Sequence, residues 1–92
     1  MNRNISIEDY EKLIVDGEEV VTTAERFKEE IDKIYSTIDE LKKTWTGSSA
    51  EKYTTNIESF KEDLYTFQKL ISGHGSLVNA VGKDYKRLEE EL

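Results

Sequence analysis

From Tyr10 onward, apolar side chains recur at alternating steps of three and four: Tyr10, Leu13, Gly17, Val20, Ala24, Phe27, Ile31, Ile34, Ile38, Leu41 and Trp45. After a short interruption the same rule runs through Tyr53, Ile57, Phe60, Leu64, Phe67, Ile71, His74, Val78, Val81, Tyr85, Leu88 and Leu92. A three-four alternation kept for about five heptads on each side is the mark of helices that pack along a seam. No stretch sustains a period of two, so strands are excluded. The chain has no proline to interrupt either run. The pattern predicts an all-α fold with helix one over about 7–44, a turn at 45–48 and helix two over about 49–91. So short a link makes the two helices antiparallel, giving one helical-hairpin domain.

The helix ends carry their own signals. Ser6 is placed to cap helix one, with Ile5 against Tyr10 as a hydrophobic staple. In the turn, Gly47 supplies a positive φ to end helix one, and Ser48 with Glu51 reads as a capping box for helix two. Ser72-Gly73-His74-Gly75-Ser76 is the one weak stretch, because two glycines cost about 2 kcal/mol in a helix interior. Ser76 could start a third helix there. The register passes through His74 without a slip, which favours a continuous helix.

Ile14, Val21 and Tyr35 of helix one and Leu70 and Leu77 of helix two lie beside the main seam and widen the apolar stripe. One partner helix cannot cover a stripe that wide. These five residues are the expected interface for a second hairpin, identical or different, completing a four-helix bundle.

Composition removes most functional classes. The chain holds no cysteine and one histidine, so neither thiolate chemistry nor the Glu-x-x-His ligands of a carboxylate metal site can be built. No catalytic residues, metal or cofactor are expected. His74 reads first as a histidine packed at a helix contact, and otherwise as a group that loosens the contact on protonation. Gly-His-Gly-Ser lacks the lysine and the strand of a phosphate loop. A net charge of −7 with no basic stripe disfavours nucleic acid and anionic membrane surfaces. The first ten residues lack an apolar core for a signal peptide, and no apolar run is long enough for stable membrane insertion.

Trp45 continues the helix-one seam past Leu41 and can cover Tyr53 at the hairpin end, a role that leucine would also fill. With Gly47 it makes a Trp-x-Gly at the bend, and Tyr85-Lys86-Arg87-Leu88-Glu89 makes a Tyr-x-x-x-Glu near the end of helix two. In size, topology, acidity and both motifs the chain resembles the WXG-hundred family, the ESAT-six-like small proteins of type VII secretion. The resemblance implies a non-enzymatic dimer, secreted without a signal peptide from a cytoplasmic pool. It also implies that Trp45 and Gly47 of one subunit, beside Tyr85 and Glu89 of the other, form the targeting surface for an FtsK/SpoIIIE-type ATPase. Many relatives carry a flexible tail after the second motif, whereas this chain ends three residues past Glu89. That difference, with the Gly-His-Gly segment, suits a related reading: an adaptor that pairs with the helical N-terminal domain of an LXG-type toxin. A generic coiled-coil dimerisation module is the third reading.

Overall fold

The structure, a computed structural model, describes the backbone of residues 7–91 and the side chains of residues 9–91. The cap and staple expected of Ser6 and Ile5 lie outside these residues. Helix α1 spans Ile7–Thr44, and the returning arm is α2, Ser48–Ser59, followed by α3, Lys61–Glu91. The arms run antiparallel as an extended hairpin of 68 × 22 × 15 Å. Its radius of gyration is 20.4 Å, against ~12 Å for a compact chain of this length. A rod this thin has one layer of contact in which to bury side chains.

On α1 that layer is one heptad row: Tyr10, Gly17, Ala24, Ile31 and Ile38, all buried. Leu13, Val20, Phe27, Ile34 and Leu41, the alternate members of the pattern, sit on its outer margin and grow more exposed toward the bend. The opposing row on the second arm is not the one that hydropathy marks. Ala50, Thr54, Gln68, Gly75 and Gly82 face α1, with Ile57, Leu64, Ile71 and Val78 half-buried beside them. The arm is thus turned by about one residue from the expected seam. Tyr53, Phe60, Phe67, His74, Val81 and Leu88 consequently face outward.

Small size and hydrogen bonding account for that rotation. A Cβ on Gly75 would stand 2.8 Å from the Gly17 carbonyl oxygen and from Val20, and one on Gly82 would stand 2.9 Å from Ile14 and from the Tyr10 carbonyl oxygen. Only bare backbone lets the arms approach this closely. The polar groups of the row and its margin are satisfied in place: Thr54 Oγ1 donates to the Ala50 carbonyl (3.0 Å), Gln68 Nε2 to the Ala24 carbonyl (3.0 Å), and Asn79 Nδ2, beside the row, to that of Ile14 (2.9 Å). A larger apolar row would forfeit both the contact and these bonds.

The Gly73–Gly75 stretch is helical, as the unbroken register predicts. Its two glycines differ in purpose, since a Cβ on Gly73 would meet nothing within 4 Å. Gly73→Ala is therefore expected to raise stability by about 0.5–1 kcal/mol through helix propensity alone. Urea unfolding followed by circular dichroism checks this, and a loss of stability would mean that Gly73 is needed where it stands.

The single long second helix expected from sequence is interrupted at Phe60. The Ser59 hydroxyl donates to the Asn56 carbonyl (2.6 Å), and the Phe60 N–H turns to the Ile57 carbonyl (3.2 Å). A serine side chain that occupies a helix carbonyl loosens the ladder at that point. Pairing resumes with Leu64 N–H on the Phe60 carbonyl (3.0 Å).

Candidate interaction surface

The bend is built from Trp45 to Gly47. The Trp45 N–H still donates to the Leu41 carbonyl (2.7 Å), which closes α1. Gly47 then takes φ 108° and ψ 171°, a region that L-residues enter only under strain. Its carbonyl accepts the Glu51 N–H (3.0 Å), so Gly47 is itself the N-cap of α2. The capping box expected of Ser48 and Glu51 is absent, because Ser48 is already the first helical residue and no side chain caps this end. Ala50 is buried at the start of α2, which draws the helix close to the end of α1.

Trp45 packs on Tyr53, with ring centroids 5.4 Å apart and planes tilted by 56°. The indole remains 41% exposed and Tyr53 48%, so the pair covers the hairpin end and also presents aromatic surface. An ion pair between Lys42 and Glu58 closes one side of this end. Gly47 and Trp45 thus serve one structure: the glycine makes the reversal that leaves the indole half in solvent.

The other end carries Tyr85, exposed by 39%, and Glu89, also exposed. At i and i+4 they share one face of α3. Lys86 points instead toward α1 and pairs with Glu11 (3.2 Å), whose carboxylate holds the Lys86 ammonium above the usual lysine range. Midway along the rod the Tyr65 hydroxyl donates to Asp32 across the arms, which holds the Asp32 carboxyl below its usual range and the Tyr65 phenol above its own. These polar clasps tie the two arms together beside the seam.

The five residues expected to flank the seam divide. Leu70 and Leu77 are exposed by 66% and 62%, on the outward side of α3. Ile14 and Val21 are half-buried, Ile14 against Gly82. Tyr35 does not belong to an outer flank: it is buried inside the hairpin, its hydroxyl donates to the Ile57 carbonyl (2.8 Å), and the Lys61 ammonium lies 5.3 Å from its ring centre. Four residues after Ile31, it takes the place on α1 where the second arm can offer a carbonyl. His74, expected at the seam, is exposed.

One feature of this face escapes the sequence pattern. At the Phe60 interruption an open apolar groove of about 510 Å³ is lined by Ile34, Tyr35, Ile57, Phe60, Asp63, Leu64 and Phe67. The serine at position 59, placed before an aromatic in mid-helix, is the local signal that could have marked it. Among the described residues no group of histidines and carboxylates is placed to hold a metal ion, and no helix is long and apolar enough to cross a membrane.

A family model described as proteins of 100 residues with WXG, WXG100, matches residues 9–90. No curated protein and no solved structure matches the chain.

Proposed function

Because the chain belongs to the WXG100 family of small helical proteins associated with type VII secretion, we propose that it is a secretion substrate that works as a homodimer. In this reading Trp45 and Gly47 of one copy and Tyr85 and Glu89 of the other make a composite surface for a membrane-bound FtsK/SpoIIIE-type ATPase. One observation carries the reading. The two motifs are both solvent-facing yet lie at opposite ends of one rod, roughly 55 Å apart along the second arm. Within a single hairpin they cannot be read together. An antiparallel second copy brings each bend beside the other copy's Tyr85, twice per dimer.

The outward face supports the same arrangement. Among the described residues six apolar side chains are buried, while twelve large ones stand exposed. A hairpin that leaves more large apolar groups in water than it hides is half of a larger core. Exposed aromatic rings beside a charged group are also the residue types that anchor protein interfaces.

Secretion of single variants tests the proposal. Trp45→Ala and Tyr85→Ala are each expected to reduce export to background and leave the protein in the cell with unchanged helical content by circular dichroism. Normal secretion of both variants would sink the targeting role. Light scattering coupled to size exclusion tests the homodimer separately, since a chain that is monomeric at every concentration cannot assemble the composite surface by itself.

A further inference from the structure

Along the second arm the inward row repeats every seven residues: Thr54, Lys61, Gln68, Gly75 and Gly82. Four of the five are buried, and Lys61 is exposed. A lysine thus stands where the turns on either side set a small or hydrogen-bonded group against α1. An unpaired ammonium is too costly to bury in the seam, so the side chain keeps its charge in water. It does so by lying over the Tyr35 ring, 5.3 Å from the ring centre. The second arm breaks its helix one residue earlier, at Phe60. On the reading that Trp45 and Gly47 form half of the targeting surface, we infer that Phe60 is a hinge kept open by Lys61. The bend and α2 then move as a tip on the shaft that α1 and α3 make. The tip carries Trp45 and Gly47 and the shaft carries Tyr85 and Glu89, so the hinge sets how the two halves of the surface stand to each other.

Hydrogen bonding at the junction suits a hinge. In a continuous helix the Asn56 and Ile57 carbonyls would accept the N–H groups of Phe60 and Lys61. Here the Asn56 carbonyl accepts the Ser59 hydroxyl (2.6 Å). The Ile57 carbonyl accepts the Tyr35 hydroxyl from the other arm (2.8 Å) and the Phe60 N–H (3.2 Å). That last bond spans three residues, the 3₁₀ form that marks hinges within helices. Both carbonyls freed by the break are satisfied, so the broken ladder leaves no acceptor stranded there.

Packing divides at the same place. In the shaft, Gly17, Gly75 and Gly82 bring backbone against backbone, Gln68 and Asn79 bond carbonyls of α1, and Phe27 meets Phe67 edge to face at 6.3 Å. Beyond Tyr35 the buried side chains are Ile38, Ala50 and Thr54, and the Thr54 hydroxyl bonds the Ala50 carbonyl of its own helix. The Lys42–Glu58 ion pair crosses the tip with its side chains 41% and 40% exposed, a setting in which such pairs contribute little. A segment with so few buried groups opens more readily than the rest of its fold. The apolar groove straddles the hinge, with Ile57 before the break, Leu64 after it and Ile34 on α1, and gives α2 room to shift.

Hydrogen exchange of the whole chain, read by mass spectrometry, tests the hinge. Amides of residues 52–59 are expected to exchange at least about tenfold faster than those of residues 68–82. Tyr35→Phe should speed exchange in α2 by about fivefold, the effect of one lost neutral hydrogen bond, and leave residues 68–82 unchanged. Lys61→Met keeps the length of the side chain and removes its charge, so the arm can close and exchange in α2 should slow by about fivefold. Lys61→Arg keeps the charge and should match the parent. Trp45, the one tryptophan of the chain, reports on the tip by itself. Its fluorescence should reach its urea midpoint before far-UV circular dichroism does.

Equal protection of the two segments, or coincident urea curves, would overturn the hinge. So would a Tyr35→Phe variant that left α2 unchanged or loosened both segments alike. Unchanged exchange in Lys61→Met would overturn the part given to the Lys61 charge. Each of these results leaves the targeting role standing, whereas normal secretion of Trp45→Ala and Tyr85→Ala would remove that role and leave the hinge.

Discussion

Ile31→Ala is expected to lower the stability of the protein by about 3 kcal/mol, within the range found when a buried isoleucine loses its outer carbons. Ile31 is 1% exposed and is the only large side chain among the described residues that is fully buried. It stands in the middle of the row Tyr10, Gly17, Ala24, Ile31 and Ile38. With a single layer of contact, the cavity opens between two helices held in register on both sides by side-chain bonds to backbone: Gln68 to Ala24 and Tyr35 to Ile57. Those bonds limit how far the arms can close over the gap. Chains of this size have roughly 5–14 kcal/mol of stability in all, so the loss should appear as a large drop in the urea midpoint. A change below about 1 kcal/mol would mean that the Ile31 row does not hold the hairpin together.

The first helix was legible from sequence because its packed face is written in apolar residues at a helical period. Hydropathy alone could not separate the inner row from the outer one, since Ile31 and Ile34 look alike to any scale. The choice between them depends on what the other arm presents. On that arm the packed row is Ala50, Thr54, Gln68, Gly75 and Gly82, whose only apolar side chain is one small alanine. Hydropathy therefore points the large apolar row inward and marks Gly75 as a weak place in the helix. The spacing of seven between Gly75 and Gly82, opposite Gly17 in the first arm, was the available cue. Glycines at heptad spacing in a helix that keeps register point to close approach rather than to a loop.

At the ends the legible part was the part fixed by backbone geometry. Gly47 has the positive φ expected of it, and Tyr85 with Glu89 shares a face because helices repeat as they do. Helix one ends at Thr44 and Trp45 covers Tyr53, both as the sequence predicts, while the half exposure of the indole is set by how closely the two arms meet at the bend. The Ser48–Glu51 signature was misleading because a capping box and an ordinary first turn share the same residue types. Which of the two forms depends on whether Gly47 or Ser48 offers its carbonyl to the first helical bond. The interruption at Phe60 was hidden for another reason. It follows from one hydroxyl on one carbonyl, and serine in mid-helix only sometimes bonds in that way.

The close approach of the arms supplies the second large effect. Gly17→Ala is expected to cost about 2 kcal/mol, although alanine is the better helix former by about 1 kcal/mol. A Cβ at position 17 would stand 2.5 Å from the Asn79 backbone nitrogen and 2.6 Å from the Gly75 carbonyl oxygen. Both are backbone atoms of α3, so no side-chain rotation can relieve the clash and the helices must part. Parting them strains the bond from Asn79 Nδ2 to the Ile14 carbonyl, one turn away, and uncovers Gly75. Overpacking of this kind costs up to ~3 kcal/mol, which outweighs the propensity gain. At matched protein concentration the melting temperature should fall by roughly 10 °C, in the opposite direction to Gly73→Ala. If Gly17→Ala melts at or above the parent temperature, the arms do not meet at Gly17 and Gly75, and the small-residue row is not what turns the aromatic face outward.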